Sequence, residues 1–286
     1  MTDKRRGTAY LLMTGLFFSI GGLCIKLVPW GAMATNGARC AISGLIIFLY
    51  VKFTGHKIKI NKTIIRGAVA IAVTSAIYAS AVKLTTAGAA IVIQFTAPIW
   101  TMLFGLLIYR KKPRRIDITA SVAVLTGIAV CFYDGFAEGR TAGNLLALVS
   151  GITYSGVFLS NASEDSDSLS SFLIGQIAGG LISLPFIIQS DFSALGIKGI
   201  LAIIAMGVFQ LGLGYIFLAK GLQLVPPVTA CLITGIEPVL NPIWVSLFYG
   251  EKVSPLFVLG GAIVLVSVTL YEIAGSREDK NTPSPN

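Results

Sequence analysis

Glu237, followed at once by Pro238, sits inside an otherwise apolar run. A carboxylate at membrane depth costs roughly 3 kcal/mol or more unless it is protonated, paired or hydrated. Three roles suit it: a proton-coupling or gating carboxylate, a structural acceptor for backbone groups freed by Pro238, or a direct solute contact. Arg39 is the other ionisable residue at depth. It either snorkels to the outer interface or serves as partner to Glu237 or to a solute carboxylate. Around them the apolar runs hold Phe18, Tyr78, Gln94, Tyr154, Gln210, Tyr215 and Asn241. A cavity for an amphipathic solute needs flat apolar faces and a few convergent hydrogen-bonding groups, and Gln94 and Gln210 can supply the latter. Pro98 and Pro238 each remove a helical hydrogen bond, which makes them paired hinges or static kinks. Pro242 adds to the second bend, whereas Pro226-Pro227 suits the first turn of a helix.

Other chemistries lack their residues. Cys24, Cys40, Cys131 and Cys231 lie singly in apolar runs with no C-x-x-C pair, as small buried hydrophobes. His56 is the sole histidine and has no Cys or carboxylate cluster beside it, so no metal site is expected. An enzyme acting on a lipid-linked substrate would gather several acids and histidines at one interface; here Asp134, Glu138, Asp191 and Glu251 are scattered. A channel filter would show a ring of like charge. A non-transporting scaffold has no use for two matched proline breaks.

The elements that position these residues follow from composition. The 286 residues are 55% hydrophobic and 12% charged, about half the charge of a soluble domain. Mean hydropathy is +0.81. About 20 apolar residues cross a bilayer as a helix, and the runs bounded by charge, Gly or Pro predict ten: 8–28, 34–52, 64–83, 87–109, 116–134, 142–161, 169–189, 196–219, 226–249 and 254–274. Ala32-Met33-Ala34 resembles a signal-peptidase site, but the preceding apolar run is too long for a leader and is expected to stay as the first helix. Gly21-Gly22, Gly179-Gly180 and Gly260-Gly261 permit close helix packing.

The net charge of +9 does not indicate nucleic acid, because the cations cluster between apolar runs. Lys4 to Arg6, the 52–66 loop, Arg110 to Arg115, and Arg277 with Lys280 all fall on one side of a ten-helix chain; Arg140, Lys198 and Lys252 fall on the other. The positive-inside rule then predicts cytoplasmic N- and C-termini in an inner membrane. Lys26, Lys83 and Lys220 lie at helix ends, placed to snorkel. Asp165 and Asp167 in the 161–171 loop must also be cytoplasmic.

Sliding the chain against itself by 140 residues pairs Leu84 with Leu224, Ile93 with Ile233, Pro98 with Pro238, Tyr109 with Tyr249 and Lys112 with Lys252. A shift of 136 pairs Gly7 with Gly143, Gly15 with Gly151 and Phe18 with Tyr154, and a shift of 137 pairs Arg39 with Gln176. Each copy holds five helices. Because five is odd, the second copy enters the membrane from the opposite side, as in carriers that work by alternating access. The predicted fold is all-α and integral to the membrane: ten transmembrane helices as two inverted five-helix repeats, 1–139 and 140–275, with a disordered tail over 276–286.

Ile236-Glu237-Pro238-Val239-Leu240, Tyr249-Gly250-Glu251-Lys252 and Gly260-Gly261, with Thr96-Ala97-Pro98-Ile99 and Tyr109 to Lys112 in register, resemble the EamA branch of the drug/metabolite transporter superfamily. The resemblance covers nearly the whole chain. It implies a secondary transporter for amino acids, related metabolites or toxic analogues, often in the export direction, and no bound cofactor. The expected partners are a small-molecule solute, membrane lipid and protons as a coupling ion. The plain fifth and tenth helices face lipid or a second copy of the chain in a homodimer. Lys111 stands where the second half has Glu251, which leaves the first half without that acidic position.

Overall fold

The structure, a computed structural model, describes residues 3–131, 140–160, 163, 165–249 and 255–281. Among the described residues all regular structure is helical. The order is α1 (Asp3–Phe18), α2 (Gly21–Leu27), α3 (Ala32–Thr54), α4 (Lys62–Leu84), α5 (Ala87–Gln94), α6 (Ala97–Tyr109) and α7 (Arg115–Cys131). Then come α8 (Thr141–Ser160), α9 (Ser168–Ile188), α10 (Gly196–Ala205), a π-helical segment Met206–Leu213, α11 (Gly214–Leu222), α12 (Pro227–Ile233), a 3₁₀ turn Thr234–Ile236, α13 (Glu237–Tyr249) and α14 (Pro255–Asn281). Eight helical stretches are long and apolar enough to cross a membrane, with a shorter apolar stretch at Val258–Tyr271. Taken with α7 they match the ten predicted runs. Lipid offers no hydrogen bonds, so a crossing chain must satisfy its backbone internally, and helices do this.

The ends are set locally. Asn61 Oδ1 accepts from the Ile64 amide at 2.8 Å, and Thr86 Oγ1 accepts from Ala89 at 3.0 Å. These side chains satisfy first-turn donors that have no helical partner. Gly55 closes α3 in the left-handed region at φ 66°, where a side chain would be strained. Pro227 opens α12 behind Pro226, as predicted. The helix α14 runs to Asn281, into the stretch expected as a tail.

Four crossings are not continuous α-helices. The first breaks at Ser19-Ile20, the fourth at Phe95-Thr96 and the ninth at Thr234–Ile236, while the eighth carries the π-helical turn. The prolines expected to kink mid-helix do not sit at mid-helix. Pro98 is the second residue of α6 and Pro238 the second of α13. There the missing N–H lies in a first turn, which makes no intrahelical bond with its amides. The backbone yields just before each proline, and hydroxyls bond the local carbonyls there, Thr96 Oγ1 to Ile93 at 2.9 Å and Thr234 Oγ1 to Cys231 at 2.9 Å, as Ser19 Oγ does to Leu16 at 2.6 Å at the first break.

The two halves pack reciprocally: α3 against α9, α7 against α14, α4 against α8, and α1 against α11. The shift of 140 residues carries α5 and α6 almost onto α12 and α13. Packing detail repeats as well. A Cβ on Gly7 would stand 2.9 Å from Leu224 Cβ, and one on Gly143 would stand 2.8 Å from the Leu84 carbonyl carbon. Mutual contact of this kind, each half's first helix on the end of the other's third crossing, is what a two-fold axis requires. The glycine pairs all lie in contacts: Gly21 faces Gln210, Gly22 faces Asn241, Gly179 faces Cys40, Gly180 faces Ala41, Gly260 meets Gly127, and Gly261 faces Val239.

Candidate functional site

All four irregular stretches lead to one place. Phe18 ends α1, Gln94 ends α5, Gln210 lies in the π-helical turn and Glu237 begins α13. With Arg39, Tyr78, Tyr154 and Tyr215 they line a single cavity, joined by Thr74, Ser75 and Leu211. Irregular backbone inside a membrane is tolerated where it borders a cavity. Every lining side chain is buried, Arg39 to 1% exposure. Phe18 stands edge-on to Tyr215 with ring centroids 5.3 Å apart. The space left is about 40 Å³. That suits only about one or two water molecules, whereas pockets for organic ligands run from about 300 Å³ upward. The conformation is therefore a contracted one.

Of the nine residues expected at a cavity, eight meet here. Asn241 does not. It is fully buried, but its amide packs against Gly22. Sequence reasoning missed Thr74, Ser75 and Leu211. Small hydroxyls in helices commonly bond their own preceding turn, so their presence gives no signal. Leu211 is apolar, and only its repeat partner Thr74, at the shift of 137, marks it.

Arg39 does not snorkel. Its Nη2 donates to the Ser75 carbonyl at 2.9 Å, to Ser75 Oγ at 3.1 Å and to Asn36 Oδ1 at 3.1 Å. Its Nε also donates to Asn36 Oδ1, at 3.3 Å. Nη1 makes one long bond, 3.4 Å to Gln210 Oε1. The side chain turns inward because these acceptors offset part of the desolvation of a buried cation. No ion pair joins Arg39 to Glu237 among the described residues. Among the described residues no hydrogen bond to the Glu237 carboxylate is seen.

Above and below the cavity the halves are tied together. At the end that bears Lys57, His56 Nε2 lies 2.7 Å from Asp167 Oδ2, the Lys59 amide donates to Ser170 Oγ at 3.0 Å, and Tyr271 Oη donates to Asp117 at 2.7 Å. Arg114 reaches both Asp117 and Tyr271 at 2.9 Å, and Thr229 Oγ1 lies 2.8 Å from Tyr271 Oη. The hydrogen bond to Asp117 raises the pKa of Arg114 above its ordinary value, so this cation keeps its charge at every physiological pH. At the opposite end Trp30 Nε1 donates to the Asp191 carbonyl at 2.8 Å, and Thr85 Oγ1 donates to Asn144 Oδ1 at 2.9 Å. There Lys26 and Lys83 donate to the carbonyls of Thr85 and Val28, whereas Lys220 lies back at the Lys57 end, over the rings of Tyr10 and Tyr50.

Cys24, Cys40 and Cys231 are free and buried. Asp134, Glu138, Glu164, Glu251 and Lys252 lie outside the described residues. No group of His, Cys, Asp and Glu among the described residues is arranged to hold a metal.

The profile of the EamA-like transporter family matches the chain twice, over residues 5–133 and 141–272. A protein of Clostridium kluyveri named an uncharacterized transporter is 23% identical, the match covering 92% of this chain and 91% of that one. The uncharacterized transporter YwfM of Bacillus subtilis is 25% identical, with 94% of each chain covered. One solved crystal structure superposes with a TM-score of 0.80 at 15% identity, covering 95% of this chain and 98% of the other, which is a likeness of fold.

Proposed function

Since the chain belongs to the EamA-like transporter family and is a multi-pass membrane transporter, we propose that it carries a small organic metabolite by alternating access through the central cavity. The solute is an amino acid or related compound, and the direction is export. The two repeats, 1–139 and 140–275, are the units that move against each other, and transport rather than catalysis is the role. The chain sits in the inner membrane with both termini in the cytoplasm, where translocation of the Lys and Arg clusters is avoided.

One observation carries this reading. Polar and aromatic groups from both halves converge where three broken helices and a π-helical turn meet, with interhalf hydrogen bonds closing both ends. A space of about 40 Å³ holds no metabolite, so a solute enters only when one end parts. Mirrored repeats make parting at either end a comparable rearrangement. Glu237, buried in the cavity wall, is the group through which protons couple. Its negative charge is most costly when the cavity is dry, and taking or releasing a proton therefore belongs to the open states.

Purified protein in liposomes, screened against amino acids, nucleosides and amines, should exchange internal for external labelled solute. Counterflow is the signature, because a carrier with one alternating site accelerates it. Flux that rises linearly with concentration and shows no counterflow would sink the reading.

A further inference from the structure

Arg39 is a guanidinium at the centre of a membrane protein, 1% exposed, and every acceptor it has is neutral: Asn36 Oδ1, the Ser75 carbonyl and hydroxyl, and Gln210 Oε1. A buried cation is ordinarily matched by a carboxylate, and among the described residues none pairs with it. The donors are unevenly used. Nε and Nη2 are held by Asn36 and Ser75, while Nη1 has only its 3.4 Å contact to Gln210, itself a cavity residue. Beside it Tyr78 lines the same cavity, 5% exposed, and its hydroxyl has no hydrogen-bond partner. One helix turn of the other half supplies Gln210, and Glu237 closes the wall.

We propose that this cavity is a carboxylate site: the solute's carboxylate takes the Nη1 edge of Arg39, with the Tyr78 hydroxyl as a second donor. The inference rests on the transport reading above and names what is carried. One guanidinium compensates one negative charge, and Glu237 in the same cavity adds none of the positive charge that a phosphate dianion needs. A carboxylate on an organic body therefore fits, the body lying against the Phe18, Tyr154 and Tyr215 rings. The anchor belongs to the first half alone. The equivalent of Arg39 is Gln176, which lies outside the cavity lining, so the bound solute has a fixed polarity across the pseudo-symmetric site.

The test uses the full chain, purified and reconstituted in liposomes. The probes are the twenty amino acids, their carboxamides, the matching deaminated acids and inorganic phosphate, read as thermal stabilisation and as counterflow. Acids should bind at least about tenfold more tightly than their amides, the scale of one charge-assisted contact. Zwitterions and deaminated monoanions separate whether an ammonium is also required. Arg39→Lys should weaken acid binding about tenfold or more, since a point charge cannot replace the planar fork. If that variant fails to fold, Asn36→Asp answers instead. It places a fixed carboxylate on Arg39 with nearly unchanged shape, and should leave the protein folded while removing acid binding. Amides that bind as well as acids, phosphate as the sole anion bound, or undiminished acid binding in Asn36→Asp each overturn the carboxylate site and leave the carrier standing. Liposomes that move none of these solutes overturn the carrier and this inference with it.

Discussion

Gly15 and Gly151 hold equivalent places on the first helix of each half, and each lies flush against the helix break of the other half. A Cβ on Gly15 would collide with Ile236 of the Thr234–Ile236 turn, and one on Gly151 would stand 2.7 Å from the Gln94 carbonyl oxygen. The breaks are thus not loose ends. Each is pressed by a helix of the opposite repeat, so a shift between repeats is felt first at the segments that carry Gln94 and Glu237.

Gly151→Ala therefore carries a specific cost. Its neighbour is backbone, which cannot rotate aside, and overpacking of this kind costs roughly 1–3 kcal/mol. Gly105→Ala is the control, because a Cβ there meets only Leu159 Cδ2 at 3.9 Å, and it should be neutral or gain up to about 1 kcal/mol of helix propensity. Thermal unfolding in detergent should lower the midpoint for the first variant only. Equal midpoints would show that the break does not press on Gly151.

Glu237→Gln should leave the protein folded and abolish the response of transport to a proton gradient, leaving the flux set by the solute gradient alone. The side chain is buried and makes no ion pair among the described residues, so a neutral amide of the same shape removes charge without removing a partner. Comparing flux with and without an imposed pH difference across the liposome tests this. A Gln variant that still follows the proton gradient rules Glu237 out as the coupling group.

The sequence made the cavity legible to an unusual degree, and the reason is the solvent. In water a buried Gln or Tyr is unremarked, whereas in lipid each polar side chain at depth demands a destination. Arg39, Tyr78, Gln94, Gln210, Tyr215 and Glu237 could be picked out on that ground, and Phe18 with Tyr154 by the repeat. Where the ground failed, the causes are specific. Asn241 met the same criterion but spends its burial against Gly22. Asn36, which holds Arg39, went unnoticed because it lies one turn away in the same run and reads as part of the helix end. The π-helical turn that swings Gln210 inward has no compositional mark, since it differs from an α-helix only in which carbonyl each amide chooses. The prolines pointed to the broken crossings but not to the break itself, which falls just before them.

Orientation follows from the same placement. Cysteines put at Lys57 and Arg114 should react with a membrane-impermeant thiol reagent from one side of the membrane, and one put at Lys198 from the other. His56 and Asp167 already bind the 55–61 loop to the start of α9, which requires those loops to share a face. Labelling of Lys57→Cys and Arg114→Cys from opposite faces would dismantle the ten-helix topology.

The two ends of the cavity are not tied alike, and this predicts a bias between the mirrored states. Arg114, Asp117, Thr229 and Tyr271 form one connected cluster across the halves. At the shift of 140 residues their counterparts read Ser254, Phe257, Ala89 and Cys131, none of which can rebuild a charged network at the far end. Tyr271→Phe removes the hydroxyl that links Asp117 to Thr229 and keeps the ring. A hydrogen bond to a charged group is worth roughly 1.5–3 kcal/mol, so the end that bears Arg114 should open at least about tenfold more often. Native thiols report it: Cys231 lies two residues beyond Thr229 in α12, and Cys24 lies in α2 near the opposite end, both buried. Tyr271→Phe should speed labelling of Cys231 and spare Cys24, whereas Trp30→Phe, which cuts the bond to Asp191, should favour Cys24. If Cys231 reacts at the wild-type rate in Tyr271→Phe, the cluster does not hold that end shut.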